Sequence, residues 1–135
     1  MSSMKVLVAT AEREVYSGEA TMLVAPGSAG ELGIMPKHSP LLASLDAGEL
    51  RIMNGDDTDE VFVSGGFMEV QPDKITVLAD TAERASDMNE AEIIAAQRKA
   101  EEMLSSSKED VDFAAVEAEI AMLAARLRML KKRKK

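Results

Sequence analysis

The chain has 135 residues, enough for one domain plus a small appendage, and 46% of them are hydrophobic, so a packed core is within reach. Aromatics make up only 3% with no Trp, leaving Val, Leu, Ile, Met and Ala to fill that core, while zero Cys and a single His exclude disulfides, thiolate metal sites, a cysteine nucleophile and His-pair zinc motifs. The net charge of −8 is unevenly spread: residues 1–86 carry 14 acids and 6 bases, residues 87–119 carry 10 acids and 3 bases, and residues 120–135 carry 7 bases and no acid, so an acidic body that repels nucleic acid ends in a basic tip.

The opening stretch "MSSMKVLVAT" has one early cation and neither a long apolar core nor a cleavage site, so no signal peptide is expected. From there to residue 79, short β-rich runs follow one another between turn residues: "KVLVAT", "EATMLVA", "ELRIM", "DEVFVS", "GFMEV" and "KITVLA". Asn54-Gly55 reads as a hairpin signal in which both residues accept positive φ. Pro72-Asp73 reads as a second turn. Many short strands at this spacing predict an antiparallel β-sandwich or flattened barrel over residues 1–85.

Within that region, residues 30–42, "GELGIMPKHSPLL", hold the only His, two prolines and two glycines. A catalytic triad needs Ser, His and a carboxylate converging in space, with the base oriented by a third group. Adjacent residues such as His38 and Ser39 seldom point at one another in an extended segment bounded by Pro36 and Pro40. Gly27, Gly30 and Gly33 form a G-x-x-G-x-x-G run, but there is no Walker Lys-Ser/Thr and no helix start to cradle a phosphate. Stiffened by proline and carrying apolar Leu32, Ile34 and Met35, the segment reads as a docking loop for another protein, not as a catalytic one. Acids occur throughout without a calcium-loop pattern, and basic and aromatic residues do not alternate as single-strand nucleic-acid binding would require.

Near Arg84 the period changes, and residues 86–135 read as a two-helix antiparallel hairpin free of Gly and Pro. Asn89 followed by Glu92 is a capping-box pattern, and Asp110 or Asp112 is placed to cap the second helix. Ile93, Ala96, Ala100 and Met103 on the first helix, and Phe113, Val116, Ile120, Leu123, Leu127 and Leu130 on the second, fall at alternating steps of three and four that predict facing apolar seams. Because Ala and adaptable Met are prominent, such a hairpin is suited to pack in more than one place, while the periodicity fits an ordinary rigid hairpin equally well. The longest apolar run, residues 120–125, has six residues against about 20 for a membrane span.

Three stretches resemble one family closely. "GELGIMPKHSPLLASLDAGELRI", "VSGGFMEVQPDKITVLADTAERA" and "AEIIAAQRKAEEMLSSSKEDVDFA" are similar, in order and over essentially the whole chain, to the epsilon subunit family of bacterial F-type ATP synthase. The resemblance implies a non-catalytic rotor subunit on the cytoplasmic face of the bacterial cell membrane, peripheral to it. The sandwich would bind the gamma subunit and the c-ring through Gly30, Glu31, Leu32, Gly33, His38, Pro40 and Leu42, with Glu31 toward the ring and His38 toward gamma. The hairpin would lie folded against the sandwich or extend into the alpha–beta hexamer, where Arg126, Arg128, Lys131, Lys132 and Arg133 would meet acidic segments and restrain ATP hydrolysis.

Some members of that family bind ATP through an (Ile/Leu)-Asp-x-x-Arg-Ala motif. Here the matching residues are Met88, Asn89, Glu90, Ala91, Glu92 and Ile93, so the Asp is replaced by neutral Asn89 and the Arg by Glu92. An anion now stands where a cation would attract phosphate, which leaves Glu83, Lys99 and Arg126 as a remnant site and predicts weak or absent ATP binding. The rival reading is a nucleotide-sensing module whose hairpin closes over ATP.

Overall fold

The computed structural model describes residues 2–105 and 112–133. The chain divides into two compact units, Met1–Asp87 and Met88–Lys135.

Ten strands build the first unit: β1 (Met4–Ala9), β2 (Glu14–Ala20), β3 (Met22–Gly27), β4 (Gly30–Ile34), β5 (Leu41–Leu45), β6 (Gly48–Asn54), β7 (Asp57–Val63), β8 (Gly66–Val70), β9 (Lys74–Ala79) and β10 (Ala82–Arg84), followed by a short 3₁₀ turn over Ala85–Asp87. They form one sheet in the order β10-β7-β6-β3-β5-β8-β9-β1-β2, with β4 paired to β3, curled into a flattened, nearly closed barrel. Alternation sends one face inward: Met4, Val6 and Val8 from β1, Leu50 and Ile52 from β6, Met68 and Val70 from β8, and Ile75 and Val77 from β9 are all buried in one apolar core.

The expected β architecture is present, with differences of detail. Six expected runs become ten strands: β2, β4, β5 and β10 are additional, and "EATMLVA" is broken at Thr21 between β2 and β3. One pairing is parallel, between β1 and β9, with Lys5 opposite Lys74 and Val8 opposite Val77. Residues 30–42 are not a loop throughout; β4 and β5 frame a short turn. At the β6–β7 hairpin the positive φ falls on Gly55 alone (63°), while Asn54 is the last strand residue, paired with Asp57. The two-residue loop is therefore Gly55-Asp56, with glycine at the first position as a II′ turn prefers. Pro72-Asp73 forms the expected turn, closed by Gln71 and Lys74 exchanging backbone hydrogen bonds at 2.8 and 3.4 Å.

The second unit contains α1 (Glu90–Ser105) and α2 (Phe113–Arg133). Asn89 caps α1, its Oδ1 accepting the Glu92 amide at 3.2 Å, and Asp112 caps α2 by accepting the Ala115 amide at 3.1 Å. Asp110 lies outside the described residues. Ile93, early in α1, packs with Leu123 and Leu130, late in α2, which makes the helices antiparallel; Met88, Ala96 and Leu127 complete the seam. The seam is shorter than the heptad reading, since Met103 and Phe113 at its loop end are 42% and 49% exposed.

Candidate interaction surface

The β3–β4 hairpin turns through Ser28 and Ala29, and its tip is tied to β5 by the Ser28 amide donating to the Ser44 carbonyl at 3.0 Å and by the Ser44 hydroxyl donating to that of Ser28 at 3.1 Å. Between hairpin and β5 lies a shallow, mostly apolar cavity of about 320 Å³ lined by Gly30, Glu31, Leu32, Leu41 and Ala43. Glu31 is exposed at its rim, and its carboxylate lies 3.4 Å from the Arg51 guanidinium. Both groups face solvent, so the pair orients Glu31 without contributing more than about 1 kcal/mol.

His38 sits at the other end of β5. Pro36 and Lys37 occupy the corners of the turn after β4, and Lys37 takes a positive φ of 69°, alone among the described non-glycine residues. Pro at the first corner followed by positive φ at the second is the type II arrangement. Donation by the Lys37 amide to the Pro72 carbonyl at 2.7 Å pins this turn beside the β8–β9 connection. The half-buried His38 ring has Nδ1 2.6 Å from the Ser39 carbonyl oxygen. That contact is to backbone, and it leaves the ring engaged with a peptide group instead of a nucleophile. Among the described residues, no group of three or more His, Asp or Glu side chains is arranged to hold a metal ion.

Glu31 and His38 thus stand at opposite ends of β4, a span of roughly 13 Å over its five residues. Gly30, Glu31, Leu32 and Gly33 belong to the hairpin end, and His38 and Pro40 to the turn end. Leu42 points outward from β5 and is 70% exposed. It opens a feature that the sequence reading missed. Phe67 on β8 lies opposite Leu78 on β9 and diagonal to Leu42, and both Phe67 and Leu78 are 58% exposed. Three large apolar side chains on adjacent strands form a strip across the outer face, with Met35 also exposed on the turn that leads to His38. The strip stands out as an apolar feature on an otherwise acidic unit. The signal was available: in "GFMEV" and "KITVLA", placing Met68, Val70, Ile75 and Val77 inward leaves Phe67 and Leu78 outside.

The family model for the ATP synthase delta/epsilon chain beta-sandwich domain matches residues 3–85. An ATP synthase epsilon chain of Bordetella parapertussis is 51% identical over 126 residues, spanning 93% of this chain and 90% of the relative. That of Halorhodospira halophila is 48% identical over 137 residues, spanning 100% of this chain and 97% of the relative. The chain belongs to the ATP synthase delta/epsilon chain family. The fold also recurs in a chain of the Euglena gracilis mitochondrial ATP synthase structure of OSCP, F1 and c-ring, with a TM-score of 0.78 at 17% identity, covering 95% of this chain and 81% of that one.

Against the epsilon-chain ATP motif, the matching residues of this chain are engaged locally. Asn89 is a helix cap, Met88 packs against the Ile93–Leu123–Leu130 cluster, and Glu92 stands in the acidic first turn of α1. Lys99 lies on α1 and half-buried Arg126 on α2, while Glu83 belongs to β10 of the first unit. In the basic tip, Arg128 and Lys131 are exposed one turn apart on α2; the side chains of Lys132 and Arg133 lie outside the described residues. No described helix is long and apolar enough to cross a membrane.

Proposed function

We infer that this chain is a non-catalytic rotor subunit of a bacterial F-type ATP synthase, joining the gamma subunit and the c-ring and restraining ATP hydrolysis through its helical unit. The observation that carries this reading is the outer strip of Leu42, Phe67 and Leu78, which lies on a family-typical sandwich whose Glu31 and His38 ends can serve two partners at once. In this reading the strip and the His38 turn meet gamma, and the Glu31 hairpin with its cavity meets the ring. Exposed Arg128 and Lys131, followed by more basic residues, meet acidic segments of the alpha and beta subunits. Residues 1–85 are then the rotor-binding domain and residues 86–135 the regulatory domain, and the protein sits at the cytoplasmic face of the cell membrane only through the complex.

The lack of native Cys makes the test direct. Single Glu31→Cys and Phe67→Cys variants, assembled into the holoenzyme and cross-linked with a short reagent, are expected to join the c-ring and gamma respectively. Both variants joining the same partner, or neither joining any, overturns the assignment. The nucleotide-sensing alternative is disfavoured because Asn89 is occupied as a cap and Glu92 adds negative charge where phosphate would lie.

A further inference from the structure

The main path of the sheet ends at β10 and β2, and no ladder joins these two strands among the described residues. What spans the seam is a cluster of side chains. Tyr16 on β2 faces Asp59 on β7 closely enough that the carboxylate acts on its phenol. Arg84, the last residue of β10, places its guanidinium 3.5 Å from the Asp59 carboxylate and its central carbon 5.7 Å from the centre of the Tyr16 ring. Gly18 leaves the room this needs, since a Cβ there would stand 2.7 Å from the Tyr16 hydroxyl oxygen. The three residues come from three strands, and one of them is the strand that leads directly toward the helical unit.

We propose that Tyr16, Asp59 and Arg84 form a clasp that closes the seam and holds β10, and that opening it lets β10 peel from β7 and lengthens the tether to the helices. The local construction sets where peeling stops. Thr81 is doubly fixed to Ser64, its amide and hydroxyl lying 2.9 and 2.7 Å from the Ser64 hydroxyl, and the Asp80 amide donates to the Gly65 carbonyl at 3.0 Å. Beyond Thr81 the backbone is held by the three-residue ladder of Ala82, Glu83 and Arg84 with Val63, Phe62 and Val61, and Ala85 is buried in the 3₁₀ turn that follows and packs on β7. So short a ladder is weakly held by its own hydrogen bonds and depends on side chains for its stability. Its release adds roughly 10 Å of reach to the connection at full extension. The clasp itself stands on this geometry alone; its use as a control on the hairpin rests on the rotor reading above.

The test uses the full chain without partners, so its failure would refute the clasp and leave the rotor assignment standing. Hydrogen exchange of residues 82–84 is compared with that of β1 and β9 in the wild type, in Arg84→Ala and in Tyr16→Phe, which keeps the ring and removes the hydroxyl. The expected result is about tenfold faster exchange of residues 82–84 in Arg84→Ala and about threefold in Tyr16→Phe, with β1 and β9 unchanged. Unaltered exchange of residues 82–84 overturns the proposal. So does acceleration spread evenly through the sandwich, because β10 would then not be a separately releasable strand. Should Arg84→Ala fail to fold, Tyr16→Phe decides the matter alone.

Discussion

Replacing Phe67 by Gln separates the outer strip from the core more cleanly than any other single change. Phe67 is 58% exposed, so its ring leaves uncovered somewhat more than half of a side chain whose full area is roughly 200 Å². Covering about 115 Å² at about 25 cal/mol per Å² contributes about 3 kcal/mol to docking, a factor of roughly 100 in affinity. The fold has little stake in that ring, because Met68 and Val70 carry the inward packing of β8, so unfolding free energy should change by no more than about 0.5 kcal/mol. The assay pairs a titration against an alpha–beta–gamma core with a urea unfolding curve of the free protein. Undiminished affinity would show that the strip is not the docking surface. An affinity loss matched by an equal stability loss would show that Phe67 acts through the fold.

Other consequences follow from the same geometry. Gly66 has φ of 135°, and a Cβ there would fall 2.8 Å from the Ala79 Cα, against backbone that cannot yield; Gly66→Ala should lose about 3–4 kcal/mol in denaturant titration. Gly55→Ala, also at positive φ but with open space around it, should lose only about 1 kcal/mol, and equal losses would refute the steric argument. Burial and then the nearby Asp59 carboxylate raise the Tyr16 phenol above its ordinary value of 10.0, although Arg84 opposes them. The unfolded chain therefore ionises first, so stability is complete below pH 10 and falls as pH rises through the folded value. With one Tyr and no Trp, tyrosinate absorbance reads this residue alone; Asp59→Asn should move its titration downward, and native titration at or below the ordinary value would contradict the clasp geometry. Calorimetry of the isolated protein with ATP should show no micromolar binding, since Asn89 and Glu92 replace the acid and base of the motif.

The strands legible from the sequence were those whose inward residues alternate plainly, as in "KVLVAT" and "KITVLA". β2 and β4 carry Gly18, Gly30 and Gly33, which weaken local β signal, and β5 lacks alternation; neighbouring strands supply the pairing that their own residues do not dictate. The parallel union of β1 with β9 is likewise a product of topology, invisible to any local pattern. Helix starts were legible because capping chemistry is local, and Asn89 and Asp112 act as their side chains predict. Of the surface, the "GELGIMPKHSPLL" segment drew notice through its unusual composition, whereas Phe67 and Leu78 passed as ordinary strand residues until their register put them side by side. Tyr16, Asp59 and Arg84 lie far apart in sequence, and only barrel closure brings them together.

The most direct test of the rotor-and-brake assignment is ATP hydrolysis by an alpha–beta–gamma core titrated with the full chain and with residues 1–87, which form a compact unit with their own core. The expected result is that both bind, that the full chain slows hydrolysis, and that the truncated chain competes with it without slowing hydrolysis itself. Failure of both to bind, or equal inhibition by the truncated chain, would contradict the assignment.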